Sequence, residues 1–89
     1  MKGRLTDFAT ALAALPTGTF QGTASGRRYV VTKSALNEGR TTKLVAEELG
    51  GADYISLNFF ALASGPRLKP CEMPAAKVTA FVLALVPDH

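Results

Sequence analysis

The segment Thr41-Thr-Lys-Leu-Val-Ala-Glu-Glu-Leu-Gly-Gly51 decides the fold, because it reads two ways. Leu44, Ala46, Glu47, Glu48 and Leu49 are compatible with a helix. The stretch between Gly39 and Gly50-Gly51 is short for one, however, and its neighbours carry the two-residue period of strands. The segment is therefore read as a strand in a meander, with Gly50-Gly51 supplying the positive φ of a tight hairpin.

Working outward, Arg28-Tyr-Val-Val-Thr-Lys-Ser-Ala-Leu36 is rich in β-branched and aromatic residues and reads as the preceding strand, joined through the turn Asn37-Glu38-Gly39. Thr19-Phe-Gln-Gly-Thr23 is an earlier strand, and Ser25-Gly26 is turn material. On the other side, Tyr54-Ile-Ser-Leu-Asn-Phe-Phe-Ala-Leu62 alternates, with Ile55, Leu57, Phe59 and Ala61 on one face. Ser64-Gly65-Pro66 then turns the chain into a short extended piece, Arg67-Leu-Lys69.

Both ends of the chain change period. Leu5, Phe8, Leu12 and Leu15 form one helical stripe, closed by Pro16, with Thr6 or Gly3 as a candidate cap. Near the C-terminus, Pro74 suits the first helical position and Glu72 the positive end of the helix dipole. Val78, Phe81, Val82 and Leu85 make the buried stripe there, and Pro87 stops it. Leu83 and Val86 widen that stripe and point to a second apolar neighbour such as a homodimer partner. The expected architecture is α+β: an N-terminal helix, an antiparallel meander of four to five strands and a C-terminal helix, with both helices on one face.

Composition bounds the function. Eighty-nine residues, with no repeat or linker, make a single compact domain spanning 1–89. A hydrophobic share of 47% excludes a disordered tail. No apolar run approaches the roughly 20 residues of a membrane-spanning helix. The run Phe8 to Leu15 after Lys2 and Arg4 resembles a short signal peptide, but Asp7 breaks the pattern, and cytoplasm is the expected location. The lone Cys71 and the terminal His89 give no expectation of a disulfide, a metal or another cofactor.

The net charge of +3 permits nucleic acid or an acidic partner without demanding either. With Ile55, Leu57 and Phe59 facing the helices, Tyr54, Ser56, Asn58 and Phe60 face away, and Tyr29, Lys33 and Lys43 are expected to join them. Such a face, with rings among cations, suits single-stranded nucleic acid. The plainer reading is that the aromatics stabilise the sheet and the charges are solvated. Cys71 precedes a helix start, where a thiol can become nucleophilic, but Glu72 adjoins it and there is no histidine base, so a structural thiol is expected. The carboxylates are too scattered in sequence to nominate an acid/base pair.

Two resemblances follow from these residues. Lys43-Leu-Val-Ala-Glu-Glu-Leu-Gly-Gly-Ala-Asp-Tyr-Ile-Ser-Leu-Asn58 and Leu68-Lys-Pro-Cys-Glu-Met-Pro74 resemble a family of small bacterial proteins without an established function, some labelled peptide methionine sulfoxide reductase. That reductase's Gly-Cys-Phe-Trp nucleophile motif is missing here, so the likeness implies no mechanism. Tyr54-Ile-Ser-Leu-Asn-Phe-Phe60, the Gly65 turn, Leu68-Lys-Pro70 and a closing helix resemble in arrangement the transcriptional coactivators of the positive-cofactor-four (PC4-like) type. Those proteins bind single-stranded DNA on curved antiparallel sheets as dimers.

The expectation is a non-enzymatic protein that binds single-stranded nucleic acid. Arg27, Arg28, Lys33, Arg40, Lys43, Arg67 and Lys69 would contact phosphates, and Tyr29, Tyr54 or Phe60 would stack on bases. A different class is a phage- or prophage-encoded inhibitor, anti-CRISPR-like, that grips a nucleic-acid-handling protein complex with the same residues. A third is thiol-dependent chemistry at Cys71.

Overall fold

The computed structural model describes residues 4–88, with side chains from Asp7 onward. Helix α1 (Arg4–Ala14) leads into strands β1 (Gly18–Ala24), β2 (Arg27–Leu36), β3 (Thr41–Glu48), β4 (Tyr54–Leu62) and β5 (Gly65–Pro70). Helix α2 (Ala75–Ala84) and a two-residue strand β6 (Val86–Pro87) complete the chain. The α+β architecture is as expected, with one strand more: the sheet order is β5-β4-β3-β2-β1-β6. Every neighbouring pair is antiparallel.

The ambiguous segment is a strand because the sheet needs it there. Ala46 sits between Val31 and Ile55, and Leu44 between Lys33 and Leu57, in one continuous register. These residues line the face covered by the helices, where Phe8, Val31, Leu44, Ile55, Leu57, Val78 and Val82 are fully buried. Burying a side chain of that size contributes about 1.5–3 kcal/mol. Phe8 of α1 packs on Phe59 at 5.5 Å between ring centroids, and Phe81 of α2 meets Tyr29 edge-on at 4.8 Å.

Helix α1 brings no cation of its own to its C-terminal end, which runs Leu12-Ala-Ala-Leu-Pro16, and only the Leu15 amide turns back there, donating to the Leu12 carbonyl at 3.2 Å. Its last carbonyls would otherwise be short of donors. Lys33 of β2 meets them: its Nζ donates to the carbonyl oxygens of Leu12 (2.7 Å), Leu15 (2.8 Å) and Ala13 (3.3 Å). The lysine is only 7% exposed, and burial lowers its pKa from the ordinary value. A cation at the negative end of the helix dipole compensates that desolvation.

Four sequence expectations are corrected. Tyr29 and Lys33 lie on the helix-covered face, not the open one, because Val31 between them is locked against Ala46 and Phe20. Helix α2 ends at Ala84, and Val86 stands in β6 opposite Thr23. A residue before proline is biased to extended backbone, so Val86 leaves the helix ahead of Pro87. Pro74 is the N-cap rather than the first helical residue, and Thr6 lies inside α1. Gly3 and His89, and the side chain of Leu5, fall outside the described residues and side chains.

Gly22 makes room for β6. A Cβ there would lie 2.8 Å from the Val86 carbonyl oxygen and 3.2 Å from the Pro87 Cα, so only glycine admits the returning strand.

Replacing Lys33 with Met removes the cap but keeps an apolar stem. Leaving those carbonyls unpaired costs about 2–4 kcal/mol, which lowers the melting temperature by roughly 10–20 °C in a domain of this size. The exposed Lys43→Met serves as control and stays within about 0.5 kcal/mol of the parent. A Lys33→Met melting temperature equal to the control's contradicts the capping role.

Candidate nucleic-acid interface

The sheet turns its second face to solvent, and the register places the side chains there in rows. One row runs Lys43, Asn58, Lys69 across β3, β4 and β5. The next runs Thr41, Phe60, Arg67 on the same strands. Strand spacing puts Lys43 and Lys69 about 10 Å apart, and the two-residue step puts Arg67 about 7 Å from Lys69. Lys43, Arg67 and Lys69 are exposed, while Phe60 and Asn58 are half-buried. Arg40 stands beside them in the turn between β2 and β3, and its carbonyl accepts from the Ala61 amide at 2.8 Å.

These basic residues differ electrostatically from the rest. Arg28 is held by Asp88 through two bonds of 2.7 and 2.8 Å, and also reaches Gln21 and Thr23. Arg27 lies 3.9 Å from Glu48 and 4.0 Å from Asp53. Lys77 binds Asp53 at 2.7 Å, and Lys33 is buried. Among the described residues, Arg40, Lys43, Arg67 and Lys69 have no carboxylate within 4.0 Å. Glu38, in the same turn as Arg40, is the nearest acid in sequence.

Of the ten candidate residues, the sheet thus brings five together: Arg40, Lys43, Phe60, Arg67 and Lys69. It separates Arg28 to the β1–β6 edge and Tyr29 and Lys33 to the core. Tyr54 and Arg27 go to the opposite end of the sheet, where Lys77 Nζ lies 6.0 Å from the centre of the Tyr54 ring. Asn37, in the turn with Arg40, was not singled out by its residue type, since asparagine before a Glu-Gly step is ordinary turn material.

That opposite end holds a second polar cluster. Asp53 accepts from Lys77 Nζ at 2.7 Å and from the Tyr29 hydroxyl at 2.9 Å, beside an open groove of about 290 Å³ floored by Ile55 and Phe81. Lys77 first, and then Tyr29, hold the Asp53 carboxyl below its usual pKa, while burial and the Asp53 bond raise that of Tyr29. The charges in this groove are already paired with one another, so its role is to tie α2 to the ends of β2 and β4. Cys71, half-buried after β5, accepts a long contact of 3.9 Å from the Asn58 amide. Among the described residues, no three His, Cys, Asp or Glu side chains converge as a metal site. No described helix is long and apolar enough to cross a membrane. Compared with protein-family models, curated proteins and solved structures, the chain matches none.

Because the Asp53 pKa is lower folded than unfolded, its stabilisation is present above the unfolded value near 4 and is lost as pH falls through the folded value. Urea midpoints measured between about pH 5 and 3 should therefore fall less steeply in Asp53→Asn than in the parent. Parallel pH profiles contradict the cluster's contribution.

Proposed function

We propose that the protein binds single-stranded nucleic acid on the open face at β3–β5, without catalysis. The observation that carries this reading is the position of Lys43, Arg67 and Lys69, exposed and without a carboxylate partner, around the half-exposed ring of Phe60. Cations free of protein partners keep their counterions until phosphates displace them, which is the source of salt-sensitive affinity. A ring among them stacks on an unpaired base, and bases already stacked inside a duplex are not offered to it. Arg28, Arg27 and Lys77 contribute less, because each phosphate contact would compete with a carboxylate already in place.

Three phosphate contacts give a slope of log affinity against log salt of about −2 on a single strand. Each of Lys43→Ala, Arg67→Ala and Lys69→Ala should reduce that slope by about 0.7. Phe60→Leu keeps an apolar side chain but loses the stacking surface, and weakens binding about tenfold. Fluorescence anisotropy with labelled single-stranded and duplex DNA at several salt concentrations reads all of these. Absence of single-strand binding at low salt sinks the proposal, as does a slope that only Arg27 or Arg28 substitutions change.

A further inference from the structure

The turn between β2 and β3 bounds a second groove, and its arginine has no carboxylate partner among the described residues, unlike the charges around Asp53. It has a volume of about 340 Å³ and is lined by Asn37, Arg40, Thr41, Phe60 and the 61–63 segment. That is the low end of small-molecule pockets, room for one nucleotide and not for a base pair.

The turn holds its side chains in fixed directions. Asn37, Glu38 and Gly39 all adopt left-handed backbone, at φ of 54°, 58° and 87°. The Gly39 amide donates to the Leu36 carbonyl and the Arg40 amide to that of Asn37, each at 3.1 Å. Arg40 Nε donates to the same Asn37 carbonyl at 3.3 Å, and Asn37 Nδ2 donates to Thr41 Oγ1 at 3.1 Å. The backbone-facing nitrogen of the guanidinium is thereby used. Its two terminal nitrogens, and the Oδ1 of Asn37, have no partner among the described residues.

A planar pair of donors beside an acceptor and an aromatic ring is a set that selects among bases. Guanine presents two adjacent acceptors, O6 and N7, to an arginine fork, followed by the N1–H donor on the same ring system. Adenine places its N6 amino donor where the fork needs an acceptor. Thymine's two acceptors, O2 and O4, are separated by its N3–H donor, so it presents no adjacent acceptor pair to the fork. Cytosine has adjacent acceptors at O2 and N3, but only one ring to lay on Phe60. We infer that this groove is a guanine-reading subsite: an unpaired guanine stacks on Phe60, receives O6/N7 bonds from Arg40 and donates to Asn37. This rests on the single-strand reading above and adds base preference to it, since Lys43, Arg67 and Lys69 hold phosphates and read no sequence.

The test is competition anisotropy with thymidine strands of roughly ten nucleotides, unsubstituted or carrying one internal guanine, cytosine or adenine. The guanine strand should bind about tenfold more tightly than the all-thymidine strand. In Arg40→Lys, which keeps the charge and loses the fork, that ratio should fall to about one, with an unchanged melting temperature showing that the fold is intact. Equal or tighter binding of the cytosine or adenine strand overturns the subsite, and so does a guanine ratio preserved in Arg40→Lys. If the all-thymidine strand binds with the expected salt slope and guanine adds nothing, the subsite fails and the phosphate-binding face stands. If no strand binds, both fail.

Discussion

The ammonium of Lys33 joins the two layers of this protein. It enters from the middle of the sheet and meets the last carbonyls of α1, where the helix's own sequence provides no cation and only the Leu15 amide as a donor. With its three donors directed at the carbonyls of Leu12, Ala13 and Leu15, the lysine pins the end of α1 to the inner face of β2. The consequence spreads through the sheet, because shifting a strand by one residue moves all its side chains to the other face. With Lys33 inside, Tyr29 and Val31 are inside as well, and β3 and β4 must present Leu44, Ala46, Ile55 and Leu57 to them. The same parity puts Lys43, Asn58 and Phe60 outside.

Folding therefore sorts the basic residues into groups with different chemistry. One closes a helix. Arg27, Arg28 and Lys77 fasten the ends of the sheet, the C-terminal strand and α2 to neighbouring carboxylates. Arg40, Lys43, Arg67 and Lys69 are used by none of these, and the meander gathers them at one corner although up to 29 residues of sequence separate them. A net charge of +3 says little about partners, whereas a cluster of cations without carboxylate partners beside a half-exposed ring marks out one part of the surface. On the proposed reading, phosphate holding and base reading divide between the strands and the adjoining turn.

The sequence carried much of this and left out specific parts. The strand at Thr41–Glu48 was legible despite its helix formers, because the flanking glycines left too little length for a helix. Tyr54–Leu62 was legible to the residue, and its alternation placed Ser56, Asn58 and Phe60 on the open face. The parity of β2 was not legible, because Val30 and Val31 are apolar neighbours and either could have been the inner one. A lysine is ordinarily solvated, so only the uncapped end of α1 hinted that this one turns inward. The Arg28–Asp88 bond spans 60 residues and leaves no local signal, and β6 is too short to show a period. The proline at position 87 was a usable clue to the early end of α2.

On the proposed reading, the corner whose cations folding leaves without carboxylate partners is the surface that binds. Amide NMR shift mapping during titration with a single-stranded oligonucleotide tests it most directly. Shifts should concentrate at Arg40, Lys43, Asn58, Phe60, Arg67 and Lys69, with Tyr29, Lys33 and the residues of α2 undisturbed. Shifts centred on α2 or on the Asp53 cluster, with the β3–β5 corner silent, would contradict it.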